Sequence, residues 1–362
     1  MSDPRDVLLA TLEENRLVAE HSPSPFYAAL LAGMADDVRI GGPTWDLLEP
    51  FATAEPTQYY AFRALAGVHH DVLAGRRPGL EAHYPSVGGD GDGAAAWPQV
   101  RVAFADHDPE VIGELAHPLQ TNETSRCGAL IGGFGTVSAR FGLPLRALEL
   151  GASAGLNLHF DRYRYEAAAD VACGPPDSPV RFVDYWREGV PLLDPALRVV
   201  ERAGCDLAPI DVATAAGRLE LQACVFADQV ARLGLLRRAL DVAETVPIAV
   251  QRESADTWVA RQLEQPRDGV ATVVFHSIFW GYLPAAVQEA ITATIIAAGA
   301  RATAEAPIAW LRYEEGAVPT TVELRLRTWP NAEGAGAVSA DELLAVGGYH
   351  WNPVRWVAGT AG

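Results

Sequence analysis

LRALELGASAGLNLHF, residues 145–160, carries an abrupt change of pattern. Leu145, Ala147, Leu148 and Leu150 make a short apolar run of strand length that ends at Glu149 and Leu150. Gly151, Ser153 and Gly155 then break it, and LNLHF begins what reads as a helix. A strand, a turn of small residues and a helix together open a βα unit. Small residues let backbone amides approach a ligand, and a helix start adds free N–H donors and partial positive charge.

Downstream, short apolar runs alternate with helical stretches, as expected for an α/β fold with a mainly parallel sheet. Further strands are expected at 198–207, 218–226, 247–253, 271–277 and 307–314. Val230, Leu233, Leu236 and Leu240 mark a crossover helix over 228–243, and Val287, Ile291 and Ile295 mark another over 284–298. After Glu314, TTVELRLRTWP (320–330) and GGYHWNPVRWV (347–357) follow with no long helix between them, so they are expected to close the sheet as an antiparallel pair. Upstream the periodicity is helical, at 5–20, 24–35, 57–74 and 122–141, with the Gly-rich SVGGDGDGAAAW (86–97) as an exposed loop. The expected organisation is a mainly helical cap or substrate domain over 1–141 and a Rossmann-like domain over 142–362. The latter carries an insertion at about 160–196 that contains CGPPDSP.

Composition narrows the function. The chain has 362 residues, enough for two domains, and no apolar run long enough for a membrane span. The N-terminus mixes acids with apolar residues, unlike a secretory signal, so a cytoplasmic protein is expected. A net charge of −18 (28 basic, 46 acidic) argues against nucleic acid and anionic lipid as partners and leaves a small molecule. The sequence leaves the oligomeric state open. There is no Lys, which excludes a Lys Schiff base. Cys127, Cys173, Cys205 and Cys224 form no C-x-x-C pair, and the adjacent His69 and His70 cannot converge on one ion from a regular helix, so no metal site is expected.

The turn's pattern, Glu149-x-Gly151-x-Ser153-x-Gly155, resembles the acid-x-Gly-x-Gly-x-Gly of class I S-adenosylmethionine-dependent methyltransferases, with Ser153 in place of the middle glycine. That resemblance implies a turn, continued by Asn157, wrapped around the amino-acid and ribose parts of S-adenosylmethionine. Asp206, in GCDLAPID (204–211), matches the acid that accepts the ribose hydroxyls, although it lies much further from the turn than the usual interval of about 20 residues. Glu253 and Ser254 match the segment that borders adenine. Asp206 also reads as a turn acid, and the acid near 253 as a cap for the helix that follows. GASAG equally satisfies the G-x-S-x-G nucleophile elbow of α/β-hydrolases, with Ser153 as nucleophile and His276 or His350 as base. A non-catalytic ligand-binding protein on the same fold is the third reading.

Substrate chemistry belongs just beyond the strand ends. There His276 is the candidate base, Trp280 and Tyr282 with Phe279 form an aromatic wall, and Tyr282 joins the catalytic candidates. PLQTNETSRCGALIGGF places Gln120, Asn122, Glu123 and Arg126 at a helix start, either as caps or as a substrate-facing edge with Glu123 in a catalytic role. Tyr163 lies in the Asp161–Tyr165 cluster of alternating Arg and Tyr, of which one pair would face a site. QTNE, LELGASAGLNLHFDRYRY, ERAGCDLAPIDV and VVFHSIFWGYLP together resemble an uncharacterised protein family of high-GC bacteria, described only as a domain of unknown function. The resemblance covers nearly the whole chain and implies a methyltransferase-like fold, without a reaction.

Overall fold

A computed structural model of the chain describes residues 3–168, 171–194, 196–318, 320–330, 341–350 and 353–357. It divides into two compact units, Met1–Thr121 with Thr214–Arg237, and Asn122–Ala213 with Arg238–Gly362. The first unit is helical: α1 (Pro4–His21), α2 (Pro25–Arg39), α3 (Pro43–Leu48), α4 (Tyr60–Leu73), α5 (Pro78–Glu81), α6 (Gly93–Ala105) and α7 (Pro109–Leu115). Helix α8 (Cys127–Phe141) belongs to the second unit, after which the chain returns to the first for α9 (Ala215–Ala223) and the start of α10 (Val230–Thr245).

Pro at the first turn and a capping side chain start several helices. Asp3 caps α1, and Ser24 caps α2 while donating its hydroxyl to Asp228 Oδ1 at 2.6 Å. Leu8, Leu12 and Ala19 of α1 meet Leu30, Leu31 and Met34 of α2 in one apolar core. His69 is sealed inside this unit. One ring nitrogen lies 3.1 Å from the Ala223 carbonyl and the other 2.8 Å from Ser86 Oγ, and burial pulls its pKa down to about 4. His70 turns the other way, towards Glu110 and Asp71, where the Arg76 guanidinium already sits among the potential ligand atoms.

The second unit is built on a nine-stranded sheet. Its strands are β1 (Leu145–Leu150), β5 (Trp186–Arg187), β6 (Val199–Asp206), β7 (Val250–Arg252), β8 (Ala271–Ser277), β9 (Ile308–Glu315), β10 (Val322–Trp329), β11 (Glu342–Gly347) and β12 (Val354–Trp356). Between β1 and β5, β2 (Arg164–Ala168), β3 (Val171–Cys173) and β4 (Arg181–Val183) form a separate small sheet, so the expected insertion has structure of its own. The large sheet runs β5-β12-β11-β10-β9-β8-β1-β6-β7. Strands β7, β6, β1, β8 and β9 are all parallel, and β10, β11 and β12 follow antiparallel. The order reverses at β1, with β6 on one side and β8 on the other, and this is the switch point beyond whose strand ends open α/β sheets bind ligands.

Strand β1 is buried along its whole length because both of its faces are covered. Leu148, Leu150, Val274 and Trp310 point to the face covered by α11 (Ala255–Gln262) and α12 (Ala285–Gly299), against Trp258, Ile291 and Ile295. Glu149 and Phe275, opposite each other in register, point to the other face, where Phe134 of α8 stacks on Phe160 with centroids 3.7 Å apart. Helix α8 packs closely because it is rich in glycine: a Cβ on Gly133 would overlap the Leu311 side chain of β9, and one on Gly135 the Leu192 carbonyl oxygen of the segment between β5 and β6.

Several expectations are corrected. RLELQACVF (218–226) mostly lies in a helix, α9, not a strand: Thr214 caps it by accepting the Gly217 amide at 3.0 Å, and its Ala, Leu, Glu and Gln are strong helix formers. The loop read over 86–97 ends early, since Asp92 caps α6 at Gly93. The strand paired with β10 on the side away from β9 is β11, at 342–347, and β12, at 354–356, lies beyond it. The turn leads into a short 3-10 helix, Leu156–Arg162. Helix α8, read with the N-terminal region, belongs to the sheet unit. Among the described residues no helix is long and apolar enough to cross a membrane, and the four cysteines are buried and unpaired.

Gly135→Ala forces a methyl group against a backbone oxygen that no side-chain rotation can move. We expect it to lower unfolding stability by about 1–3 kcal/mol in urea titration, with an unchanged m-value.

Candidate functional site

Beyond β1 the chain bends sharply. Gly151, Ser153 and Gly155 all have positive φ, which is routine for the glycines and uncommon for Ser153 at 52°. The bend is tied down by backbone amides. The Ala152 amide donates to the Cys205 carbonyl at 2.9 Å and the Ser153 amide to Asp206 Oδ2 at 2.9 Å. The Leu156 amide donates to Asn122 Oδ1 at 3.0 Å. The other Asp206 oxygen accepts the Ala208 amide at 2.9 Å, and the Asp206 carbonyl accepts the Glu253 amide at 3.1 Å. The strand ends of β1, β6 and β7 are thus joined through Asp206. Ser153 Oγ is enclosed and has no hydrogen-bond partner among the described residues, an imidazole included.

Glu149 faces α8, fully buried, with Oε2 unbonded. Burial pushes its carboxyl well above the usual range. A hydrogen bond with Asn157 and the charge of Arg126 offset this in part, and Asp206 adds to it. Asn157 also accepts the Cys127 thiol at 3.2 Å. Sequence spacing alone did not reveal this Glu149–Asn157–Cys127 chain, because Cys127 comes from another element.

On the opposite side of the switch point, His276 ends β8 with no exposed surface. Trp310 Nε1, which can only donate, bonds to Nε2 at 3.1 Å, so the proton sits on Nδ1 and points to Glu314 Oε1 at 2.5 Å. Both nitrogens are committed and the ring stacks on Trp280, so His276 in this arrangement has no lone pair to act as the base expected of it. It points to the α12 face, away from Glu149. Glu314 also accepts the Phe279 amide at 3.1 Å and the Trp280 amide at 3.3 Å, and so pins the turn after β8. Ile278 within that turn has φ 47°, an uncommon value for a β-branched residue. The Phe279 ring packs where a Cβ on Gly151 would be, so the two turns touch. Glu314 was not singled out in the sequence; the only signal was an acid closing an apolar strand.

Glu123 is buried: Oε1 accepts the Ser125 hydroxyl at 2.5 Å, and Oε2 lies 3.4 Å from His350 Nδ1. Arg126 reaches the Ser277 carbonyl at 2.8 Å. Tyr282 is 59% exposed at the end of the 3-10 helix Trp280–Tyr282. The remaining candidates serve the scaffold more visibly than a ligand. Tyr163 is buried and donates to the Leu156 carbonyl at 2.6 Å, and Tyr165 is likewise turned inward. Glu253 pairs with Arg261 at 2.5 Å, and Ser254, the N-cap residue of α11, donates its hydroxyl to Asp256. Gln120 belongs to the helical unit; every other candidate belongs to the sheet unit.

A carboxyl whose pKa is raised on folding binds a proton the unfolded chain has lost, so its burial costs stability as pH rises above the ordinary Glu range. Glu149→Gln removes that cost. The stability of the variant relative to wild type should climb with pH from about 4.5 upward, by at most about 1.4 kcal/mol per pH unit. Urea unfolding at several pH values measures this, and a constant difference would refute a protonated Glu149.

A scan against protein-family models matches residues 13–356 to one described as "Uncharacterized protein conserved in bacteria (DUF2332)". No curated protein and no solved structure matches the chain. With nearly its whole length matched, the chain belongs to this uncharacterised bacterial family.

Proposed function

We propose that the chain is an S-adenosylmethionine-dependent methyltransferase acting on a small molecule. The observation that carries this reading is the Ser153 amide held on the Asp206 carboxylate, which locks a glycine turn to the neighbouring strand end at the sheet's switch point. The character of the turn favours a nucleoside ligand without phosphates. Amides of Ala152, Ser153, Gly155, Leu156 and Leu158 are spent on protein acceptors, the helix that follows is a short 3-10 segment, and the Asp206 carboxylate repels phosphate. A sulfonium cation suits such surroundings.

The residues fit that group. Asp206 is only partly buried, and its carboxylate, which accepts the Ser153 and Ala208 amides, is the group that would receive the ribose hydroxyls. The enclosed, unbonded Glu149 Oε2 and Ser153 Oγ are polar atoms in want of partners beside the turn. When bound, the cofactor supplies an electrophilic methyl group. Phe279 and Trp280 exclude water from the site, and Glu314 with His276 positions them. In this reading Glu123 is the proton acceptor, Tyr282 completes the acceptor's surroundings, and alignment of the two reacting atoms supplies most of the acceleration.

Calorimetry with S-adenosylhomocysteine tests this: wild type should bind it, and Asp206→Ala at least about tenfold more weakly. Folded wild-type protein that gives no heat removes the reading. The rival hydrolase reading rests on Ser153 at positive φ; a fluorophosphonate probe should leave the protein unlabelled, and labelling abolished by Ser153→Ala would favour that rival instead.

A further inference from the structure

Among the described residues, Arg126 is a buried cation without an ion-pair partner. Its side chain is only 9% exposed. Nη1 donates to the Ser277 carbonyl at 2.8 Å with Ser277 Oγ at 3.4 Å, and Nε donates to the Tyr349 carbonyl at 3.4 Å; all of these acceptors are neutral. Among the described residues Arg126 forms no ion pair and Nη2 forms no hydrogen bond. Nη2 is not sealed in, unlike the enclosed unbonded atoms Thr124 Oγ1, Glu149 Oε2 and Ser153 Oγ, so the guanidinium keeps its accessible edge there.

A guanidinium taken out of water needs compensation, and leaving one uncompensated costs several kcal/mol. The two carboxylates that act on it most are committed elsewhere. Glu123 holds the Ser125 hydroxyl and lies against His350, while Glu314 holds His276 and two backbone amides. Burial accordingly lowers the pKa of Arg126 even though Glu123 and Glu314 act to raise it.

We propose that Arg126 Nη2, with Ser277 Oγ, binds the carboxylate of the methyl acceptor, so that the substrate is a carboxylic acid whose body lies along Trp280 and Tyr282. A planar carboxylate matches the guanidinium fork. Glu123 and Glu314 nearby disfavour a dianion, which sets a monocarboxylate apart from a phosphate. Naming the ligand a methyl acceptor rests on the proposed function, whereas the carboxylate site stands without it.

Benzoate, benzamide and benzylamine are suitable probes, followed by ligand-observed NMR and calorimetry on the full chain. Wild type should bind benzoate at least about tenfold more tightly than benzamide or benzylamine. Arg126→Gln should lose that preference while keeping its affinity for S-adenosylhomocysteine, and Arg126→Lys should retain part of it. Equal or tighter binding of the amide or amine, unchanged benzoate binding in Arg126→Gln, or no binding of any probe would overturn the site. Should Arg126→Gln fail to fold, the wild-type preference and its weakening in Ser277→Ala decide the matter. Arg126-dependent benzoate binding without S-adenosylhomocysteine binding would keep the site and discard the methyltransferase reading; the reverse would do the opposite.

Discussion

The hydrogen bond between the Ser153 amide and Asp206 holds the working edge of the sheet together. Parallel strands pair along their length, yet nothing in the ladder dictates where the chain goes once a strand ends. Here one carboxylate takes amides from Ser153 and Ala208, and its own carbonyl takes that of Glu253. Three strand ends are thereby fixed by one residue. Charge assistance makes the carboxylate contacts stronger than ordinary amide pairs. The positive φ of Ser153 is then a conformation the surroundings impose, since a non-glycine residue adopts it at a cost.

A second carboxylate does the same on the other side of the switch point. Glu314 gathers His276 and the amides of Phe279 and Trp280, and so holds the strained Ile278 turn. The two devices meet where Phe279 lies on Gly151. A side chain at 151 would separate them, which accounts for glycine there more directly than any ligand does. The switch point is therefore framed by two rigid turns, and Glu149 and Arg126, each with a polar side-chain atom that has no hydrogen-bond partner among the described residues, lie on its α8 side.

Much of the architecture was legible because burial leaves a trace in sequence. LRALEL and ATVVFHS are apolar enough to announce strands covered on both faces, and the helices at 4–21 and 25–39 show their periods plainly. The errors came where local pattern and context compete. Leu219, Leu221 and Val225 alternate like a strand, but the Thr214 cap and good helix formers prevail over most of that stretch. The candidate residues cluster because strand ends in one sheet must lie near one another. Which nitrogen of His276 is occupied, or that Arg126 has no ion pair among the described residues, depends on partners distant in sequence, such as Trp310 and Ser277. No spacing rule reaches that far.

The interleaving of the two units has a consequence for biogenesis. Residues 214–237 leave the sheet unit between β6 and β7 and complete the helical one, whose core includes Ala227 and whose His69 ring abuts the Ala223 carbonyl. During synthesis the N-terminal helices must therefore wait, their apolar faces unfinished, until a segment encoded far downstream has emerged from the ribosome. Neither unit is a contiguous module that recombination could lift out whole, so the two are expected to be inherited together.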